Sequence, residues 1–224
     1  MCVPKRTLCF LLTCLFLCLS CFFFAACNHK QDFTSYVSEY RNNLFLYEGE
    51  GFTIKAQNVE KEYPYVADGY KGEMNCRVEF YVSAPADTRS CEIYFWVDGT
   101  KHGGEASFDT VKRQFYFSCA ASVANATALP VQLHIDGVEW QLTLNSVKTP
   151  DLLPLSELLT KLFSEESTLK KKLAENGELA CELYVRILYE DAPYFYVGVV
   201  DRKGTIHAFL LNGQTGKILA RRTT

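Results

Sequence analysis

The stretch CEIYFWVDGT (residues 91–100) alternates apolar side chains with polar or amphipathic ones and ends in Asp98-Gly99. One phase of this alternation contains only apolar residues, namely Cys91, Ile93, Phe95 and Val97. A period of two is typical of a β-strand that buries one face. Asp-Gly tolerates the positive φ angles of a tight hairpin turn. The stretch therefore predicts a strand that ends in a sharp turn.

The same period recurs on both sides of this stretch. The apolar phases are Phe52, Ile54 and Ala56; Cys76, Val78, Phe80 and Val82; Phe115, Phe117 and Cys119; Val131, Leu133 and Ile135; and Val138, Trp140, Leu142 and Leu144. A second Asp-Gly pair at 136–137 separates the last two runs. Several short strands with one apolar face each need a second sheet to cover them. We therefore predict an immunoglobulin-like β-sandwich over residues 44–148.

The pattern changes in the C-terminal part, residues 149–224. Pro150 and Pro154 interrupt strand pairing, and apolar residues then recur at helical spacing at Leu155, Leu158, Leu159, Leu162 and Phe163. Three β-like runs follow: LACELYVRILYE, YFYVGVVD and TIHAFLLN. The predicted fold class is thus mainly β or α+β, with the sandwich followed by a small helix-plus-antiparallel-sheet domain.

The segment YFYVGVVDRKGTIHAFLLNGQTGKILA resembles the second half of a PepSY-type domain, in which a hairpin precedes a Thr-Gly turn and a final short strand. The resemblance covers roughly residues 194–220, and the aspartate usual near Asn212 is missing. PepSY domains occur in extracytoplasmic proteins as inhibitory or interaction modules. The resemblance therefore implies binding rather than catalysis.

The N-terminal segment has the order of an export signal. Lys5 and Arg6 precede an uncharged run from Leu8 to Ala26, and the run ends in Phe24-Ala25-Ala26-Cys27. These last four residues resemble a bacterial lipobox, with Phe24 where that pattern prefers leucine. The resemblance implies cleavage of residues 1–26, palmitate-type lipidation of Cys27, and a chain held at the cell envelope on the extracytoplasmic face of the membrane.

Two alternatives to this reading remain open. The apolar run is long enough to span a bilayer as an uncleaved transmembrane anchor, and Cys18-Leu19-Ser20-Cys21 is a poorer rival cleavage site. Both the lipoprotein and the anchor place the remaining chain outside the cytoplasm. Residues 27–43 are predicted to form a tether and a short amphipathic helix, since Phe33, Tyr36, Val37 and Tyr40 recur at three- and four-residue intervals.

Composition disfavours several classes of function. The net charge is −3, and the chain has no large basic cluster, so we expect no nucleic-acid partner. Six of the ten cysteines lie within residues 1–27, and the remaining four, Cys76, Cys91, Cys119 and Cys181, form no Cys-x-x-Cys pair and no zinc-type Cys/His spacing. We therefore expect no metal and no cofactor. The sequence offers no catalytic constellation, and we predict a protein that is not an enzyme.

Two sets of candidate site residues emerge from the strand pattern. The outward phase of the strands carries Tyr81, Tyr94, Trp96 and Tyr116, which are predicted to form one exposed aromatic platform. Burial of this face under the C-terminal domain is the competing explanation. If residues 91–97 pair with residues 113–119, Cys91 lies opposite Cys119, and the two are a possible disulfide.

The functional expectation is a non-enzymatic binding or interaction module. Its partners would be the membrane, through the lipid anchor, and an envelope protein or glycan. The alternative is a carbohydrate-binding surface lipoprotein, because tyrosine and tryptophan faces stack against sugar rings.

Overall fold

Strands dominate the part of the chain that the computed structural model describes, which is residues 31–49, 51–63, 72–176 and 178–224. The strands of the first half are β1 (Val37–Gly49), β2 (Phe52–Glu62), β3 (Met74–Ser83), β4 (Cys91–Val97), β5 (Thr100–Glu105), β6 (Ser107–Asp109), β7 (Gln114–Cys119), β8 (Ala128–Ile135) and β9 (Val138–Ser146). The strands of the second half are β10 (Ala174–Glu175), β11 (Glu178–Leu179), β12 (Cys181–Tyr189), β13 (Pro193–Asp201), β14 (Ile206–Asn212) and β15 (Ile218–Thr223). Among these residues the protein is thus mainly β, as the sequence predicts.

The first nine strands form two facing layers. One layer has the order β1-β2-β3-β7-β6, and the other has the order β5-β4-β8-β9. Strands β3 and β4 are not paired, yet the ring centroids of Phe80 on β3 and Phe95 on β4 lie 5.0 Å apart. This contact shows that the two layers face each other. Strand β9 pairs with β1 at Phe45 and closes one side. The arrangement is coarsely that of a β-sandwich or barrel.

The predicted alternation accounts for the core of these layers. Residues of the apolar phases are fully or almost fully buried, including Ile54, Ala56, Val78, Phe80, Val82, Cys91, Ile93, Phe95, Val131, Leu133 and Leu144. Val138 is the clearest exception, with 54% of its surface exposed. Both Asp-Gly turns adopt positive φ at both residues, with 48° and 78° at Asp98-Gly99. These turns connect β4 to β5 and β8 to β9.

The C-terminal strands carry a helix on one face. Strands β12 to β15 pair antiparallel in sequence order. Helix α1 (Leu155–Glu165) buries four of the five predicted residues, Leu158, Leu159, Leu162 and Phe163, among the inward side chains of these strands, and Leu155 is partly buried. A second helix, α2 (Ser167–Leu173), follows after a break at Glu166. The predicted helix and the predicted strand runs of this region are therefore present.

Strand β1 connects the two groups of strands. Residues 37–41 of β1 pair in parallel with β12 on one side, and β1 pairs antiparallel with β2 on the other. Thirteen of the strands within the described residues belong to one sheet as a result, and residues Phe33–Thr224 form one compact unit. The buried side chains nevertheless fall into two clusters, one between the facing layers and one beneath α1.

The amphipathic helix predicted from Phe33 to Tyr40 is wrong for its second half. Only Phe33–Tyr36 is helical, as a single 3₁₀ turn, and β1 begins at Val37. Two partner strands satisfy the backbone of residues 37–41, and Val37 is almost fully buried. This tertiary pairing outweighs a weak helical period.

The predicted export signal and Cys27 lie in residues 1–30, outside the described part of the chain. Within the described residues, no helix combines the length and the apolar character that crossing a membrane requires.

Candidate functional site

The four aromatic residues of the predicted platform do not share one surface. Tyr81 and Tyr116 are cross-strand neighbours on β3 and β7, with ring centroids 5.2 Å apart. Tyr94 and Trp96 lie on β4, in the opposite layer. Because the inward neighbours of the two sets pack against each other across the core, the aromatic pairs face opposite sides. All four side chains are partly exposed.

The outer face around Tyr81 holds a concentration of positive charge that we call the cationic groove. It has a volume of about 460 Å³. The side chains that define it are Arg41, Lys55, Gln57, Tyr81, Lys112 and Arg186.

Strand register explains why these residues meet. Arg41 on β1 lies directly beside Arg186 in the parallel pair with β12. Lys55 on β2 lies directly opposite Tyr81 on β3. Side chains at such paired positions stand about 5 Å apart on one face. Four neighbouring strands therefore contribute to one surface.

Arg41 is held in place from three directions. Its Nε donates to Glu39 Oε1 at 2.8 Å, and its Nη1 donates to Glu79 Oε2 at 2.7 Å and to Gln57 Oε1 at 3.0 Å. Burial opposes the charge on Arg41, but the hydrogen bonds and charges of Glu39 and Glu79 outweigh it, so its pKa is raised. The Tyr81 hydroxyl also donates to Glu79, at 2.8 Å. The floor of the groove is thus rigid and hydrogen-bonded.

The remaining cations of the groove are less well compensated. Within the described residues, neither Lys55 nor Arg186 forms an ion pair with a carboxylate. Arg186 instead lies over the ring of Tyr196, 4.8 Å from its centroid. Burial, together with the charges of Arg41 and Arg186, lowers the pKa of Lys55. An anion in the groove would relieve this repulsion.

Lysine ammonium groups lie near the rings of Tyr81, Tyr94 and Trp96. The Nζ atoms of Lys55 and Lys112 lie 5.9 and 5.5 Å from the Tyr81 centroid. On the opposite side, the Nζ atom of Lys101 lies 4.1 Å from the Tyr94 centroid and 5.4 Å from that of Trp96. These cation–π contacts place a positive charge beside Tyr81, Tyr94 and Trp96.

Trp96 also borders a second concave surface, the Trp96 groove, of about 550 Å³. Asp98 and the loop residues Ser122–Ala126 form its other walls. Two buried asparagines fix this loop. Asn43 donates to the carbonyl oxygens of Val123 and Ala126, and Asn58 accepts from the Val123 amide at 2.7 Å. The groove therefore has a preformed polar wall beside an indole ring.

The histidines and cysteines supply no comparable site. His134 lies within 3.6 Å of Glu92 and 3.5 Å of Glu139, with a partly exposed side chain. In the described ranges no group of three or more histidine, cysteine or acidic side chains is arranged to hold a metal ion. The cationic groove and the Trp96 groove are therefore stronger candidate binding surfaces than the histidines and cysteines.

The strand pairing assumed for a disulfide between Cys91 and Cys119 is wrong. Cys91 lies opposite Ile135, and Cys119 lies opposite Val78, because β4 pairs with β5 and β8 while β7 pairs with β3 and β6. Cys76, Cys91, Cys119 and Cys181 are free thiols. Burial raises the pKa of Cys91 and of Cys181 to about 12, so neither thiol is a ready nucleophile.

Sequence reasoning missed the cationic groove. Lys55 and Gln57 occupy the outward phase of β2, which is the only local signal. Nothing in the sequence indicates that Arg186 lies beside Arg41, since the two are far apart in the chain and meet through a parallel strand pair.

The comparisons with known proteins add no family to these observations. No protein-family model matches the chain, and neither a curated protein nor a solved structure matches it.

Proposed function

We propose that this protein is a lipid-anchored extracytoplasmic binding module that holds an anionic component of the cell envelope in the cationic groove. Binding involves no catalytic step. The anchor is Cys27, exposed by cleavage of the leader at Ala26, and the partner is an envelope protein or glycan that carries negative charge. The folded part consists of an immunoglobulin-like sandwich and a PepSY-like module that share the strand β1.

The observation that carries this proposal is the gathering of four cations in one groove. Arg41, Lys55, Lys112 and Arg186 line it, although the chain as a whole has a net charge of −3. Arg41 is paired with Glu39 and Glu79, and Lys112 lies 4.0 Å from Asp109, which leaves Lys55 and Arg186 without a paired carboxylate among the described residues. Like charges brought together in a partly desolvated site repel one another, and an anionic ligand converts this repulsion into attraction.

Preorganisation supports the same conclusion. Glu39, Glu79 and Gln57 fix Arg41 before any ligand arrives, so little side-chain entropy is lost on binding. The planar guanidinium of Arg186 suits a bidentate carboxylate or phosphate, while the lysines add point charges.

Calorimetric titration with inorganic phosphate tests the groove. We expect the double change Lys55→Gln with Arg186→Gln to weaken phosphate binding by about tenfold or more, since a charge-assisted hydrogen bond contributes about 1.5–3 kcal/mol. Lys171→Gln is the matched control, because this exposed lysine lies on α2 away from the groove. Equal phosphate affinity in the double variant and the control would refute the proposal.

Intact-mass analysis of the membrane-extracted protein tests the anchor. The expected mass is that of residues 27–224 plus diacylglyceryl and acyl groups. Cys27→Ser should leave the leader attached and remove the lipid mass. Unmodified wild-type precursor in the membrane would instead support a transmembrane anchor.

A second candidate function is carbohydrate binding at the Trp96 groove. The combination of Trp96, the carboxylate of Asp98 and the fixed Ser122–Ala126 loop favours it, since sugar sites join an aromatic face to polar groups. A glycan array should lose its signal in Trp96→Ala and keep it in Phe108→Ala, which removes an exposed ring from the other layer. No glycan signal from the wild type would exclude this candidate.

A further inference from the structure

An apolar groove adjoins the cationic groove on the same sheet. Its volume is about 540 Å³, which is within the range of small-molecule pockets. Its apolar lining includes Leu46, Leu188, Tyr189, Tyr194, Leu210 and Leu219.

Lys55 lines both grooves and joins them. The strand register confirms that the two surfaces are continuous. Arg186 and Leu188 are two residues apart on β12, and their partners on β13 are Tyr196 and Tyr194. Residues two apart on a strand point to the same face. A ligand whose charged end lies at the cations can therefore extend directly along the leucines.

The apolar groove is open to solvent. Leu46, Tyr189 and Leu219 expose 36%, 44% and 47% of their surface. They are three of the seven large hydrophobic residues that are exposed in the described part of the chain. Scattered exposed leucines need no explanation, but several that line one concavity beside a charged groove form an amphipathic surface.

The geometry points to an anionic amphiphile as the ligand, with a phosphate or carboxylate head on Arg41, Lys55 and Arg186 and an apolar chain along Leu188, Leu210 and Leu219. This inference rests on the proposed function and specifies its ligand further: the anionic envelope component is one whose charged head is joined to an apolar chain.

Charge fixes the orientation of the amphiphile. Lys55 is the cation in the lining of the apolar groove, while Glu190 lies in the turn after β12 at that groove. An anionic head is attracted by Lys55 and repelled by Glu190, so the head lies on the Lys55 side and the chain occupies the leucines. A cationic amphiphile would be repelled by Lys55 and Arg186, the two groove cations that form no ion pair with a carboxylate of the described residues.

The test compares two alkyl phosphates that differ only in their apolar chain. Methyl phosphate and octyl phosphate are titrated calorimetrically into the full-length protein held in nanodiscs of a zwitterionic lipid, with empty nanodiscs subtracted. We expect octyl phosphate to bind at least about tenfold more tightly than methyl phosphate, because each buried methylene adds to the affinity. Octanoate in a parallel titration distinguishes a carboxylate head from a phosphate head.

Three variants separate the head from the chain. Lys55→Gln should weaken both alkyl phosphates by about tenfold. Leu219→Ser, on the exposed edge strand β15, should weaken octyl phosphate several-fold and leave methyl phosphate unchanged. Lys171→Gln is the control and should change neither.

Each other result decides a different question. Equal affinity for the two alkyl phosphates, with both weakened by Lys55→Gln, would overturn the amphiphile and leave the anion-binding function standing. Octyl phosphate binding that is insensitive to Lys55→Gln would also overturn it, since the chain alone would then account for affinity. Absence of binding by either compound would refute the inference and the proposed function together.

Discussion

Replacing Asn43 by aspartate tests the internal network that fixes the wall of the Trp96 groove. Asn43 is fully buried, and its Nδ2 lies 2.8, 3.3 and 2.9 Å from the carbonyl oxygens of Val123, Ala124 and Ala126. Its Oδ1 accepts from the Leu44 amide and from the Ser146 hydroxyl. Both sides of the amide are thus used. Asn43→Asp keeps the shape and turns the donor into a negatively charged acceptor.

The expected loss of unfolding free energy follows from these contacts. The introduced carboxylate would face the three carbonyl oxygens without a hydrogen to donate. The two N–H hydrogens of the Asn43 amide are lost, and with them two donated hydrogen bonds of about 1 kcal/mol each. An uncompensated buried charge costs about 3–5 kcal/mol. The two terms overlap, because the pKa of the carboxyl rises to avoid the charge, and we expect a total loss of about 4 kcal/mol at neutral pH.

Urea denaturation followed by tryptophan fluorescence measures this loss, and its pH dependence identifies the cause. A carboxyl whose folded-state pKa is raised destabilises the fold when ionised, so the deficit should shrink as the pH falls through that folded-state pKa. Asn125→Asp is the matched control, since the same change falls on an exposed side chain of the same loop and should alter stability by less than about 0.5 kcal/mol. A loss below about 1 kcal/mol in Asn43→Asp, or a deficit that grows in acid, would refute the reasoning.

Three further predictions concern the core, the groove and the thiols. Phe80→Ala should cost about 3–5 kcal/mol in urea denaturation, because Phe80 is fully buried between the layers, whereas Phe108→Ala, at a half-exposed ring, should cost less than about 1 kcal/mol. Burial, together with neighbouring arginines, lowers the pKa of Lys55 below its ordinary value of 10.5. As the pH rises, phosphate affinity measured by calorimetry should therefore begin to fall at a lower pH than for an ordinary lysine. Lys55→Gln should remove this fall in affinity. Cys91 and Cys181, whose pKa values burial raises to about 12, should react slowly with a thiol reagent in the native protein and quickly after unfolding, as mass spectrometry of labelled peptides would show.

Local patterns were sufficient for most individual elements. Helix α1 begins just after Pro154 and buries four of the five residues whose spacing predicts its inner face. Both Asp-Gly hairpins are present because positive φ at adjacent residues depends on the two side chains themselves. The helix predicted up to Tyr40 failed because its period was short, and pairing with two strands decided the conformation of that segment instead.

The candidate sites followed a different rule. The alternation correctly placed Tyr81, Tyr94, Trp96 and Tyr116 outside the core. The outer faces of the two layers point in opposite directions, however, so the four residues lie on two separate surfaces rather than on one platform. The Cys91–Cys119 register failed for a related reason, since β4 and β7 belong to different layers.

The sequence by itself determined most of the strands, the two Asp-Gly turns and the inner face of α1, because each depends on residues within a few positions of one another. Only the tertiary structure decided which strands are neighbours. The parallel pairing of β1 with β12 brings Arg41 to Arg186, and the antiparallel pairing of β2 with β3 brings Lys55 to Tyr81. Such pairings depend on how apolar faces from distant parts of the chain are buried together, and no local pattern of side chains records that choice.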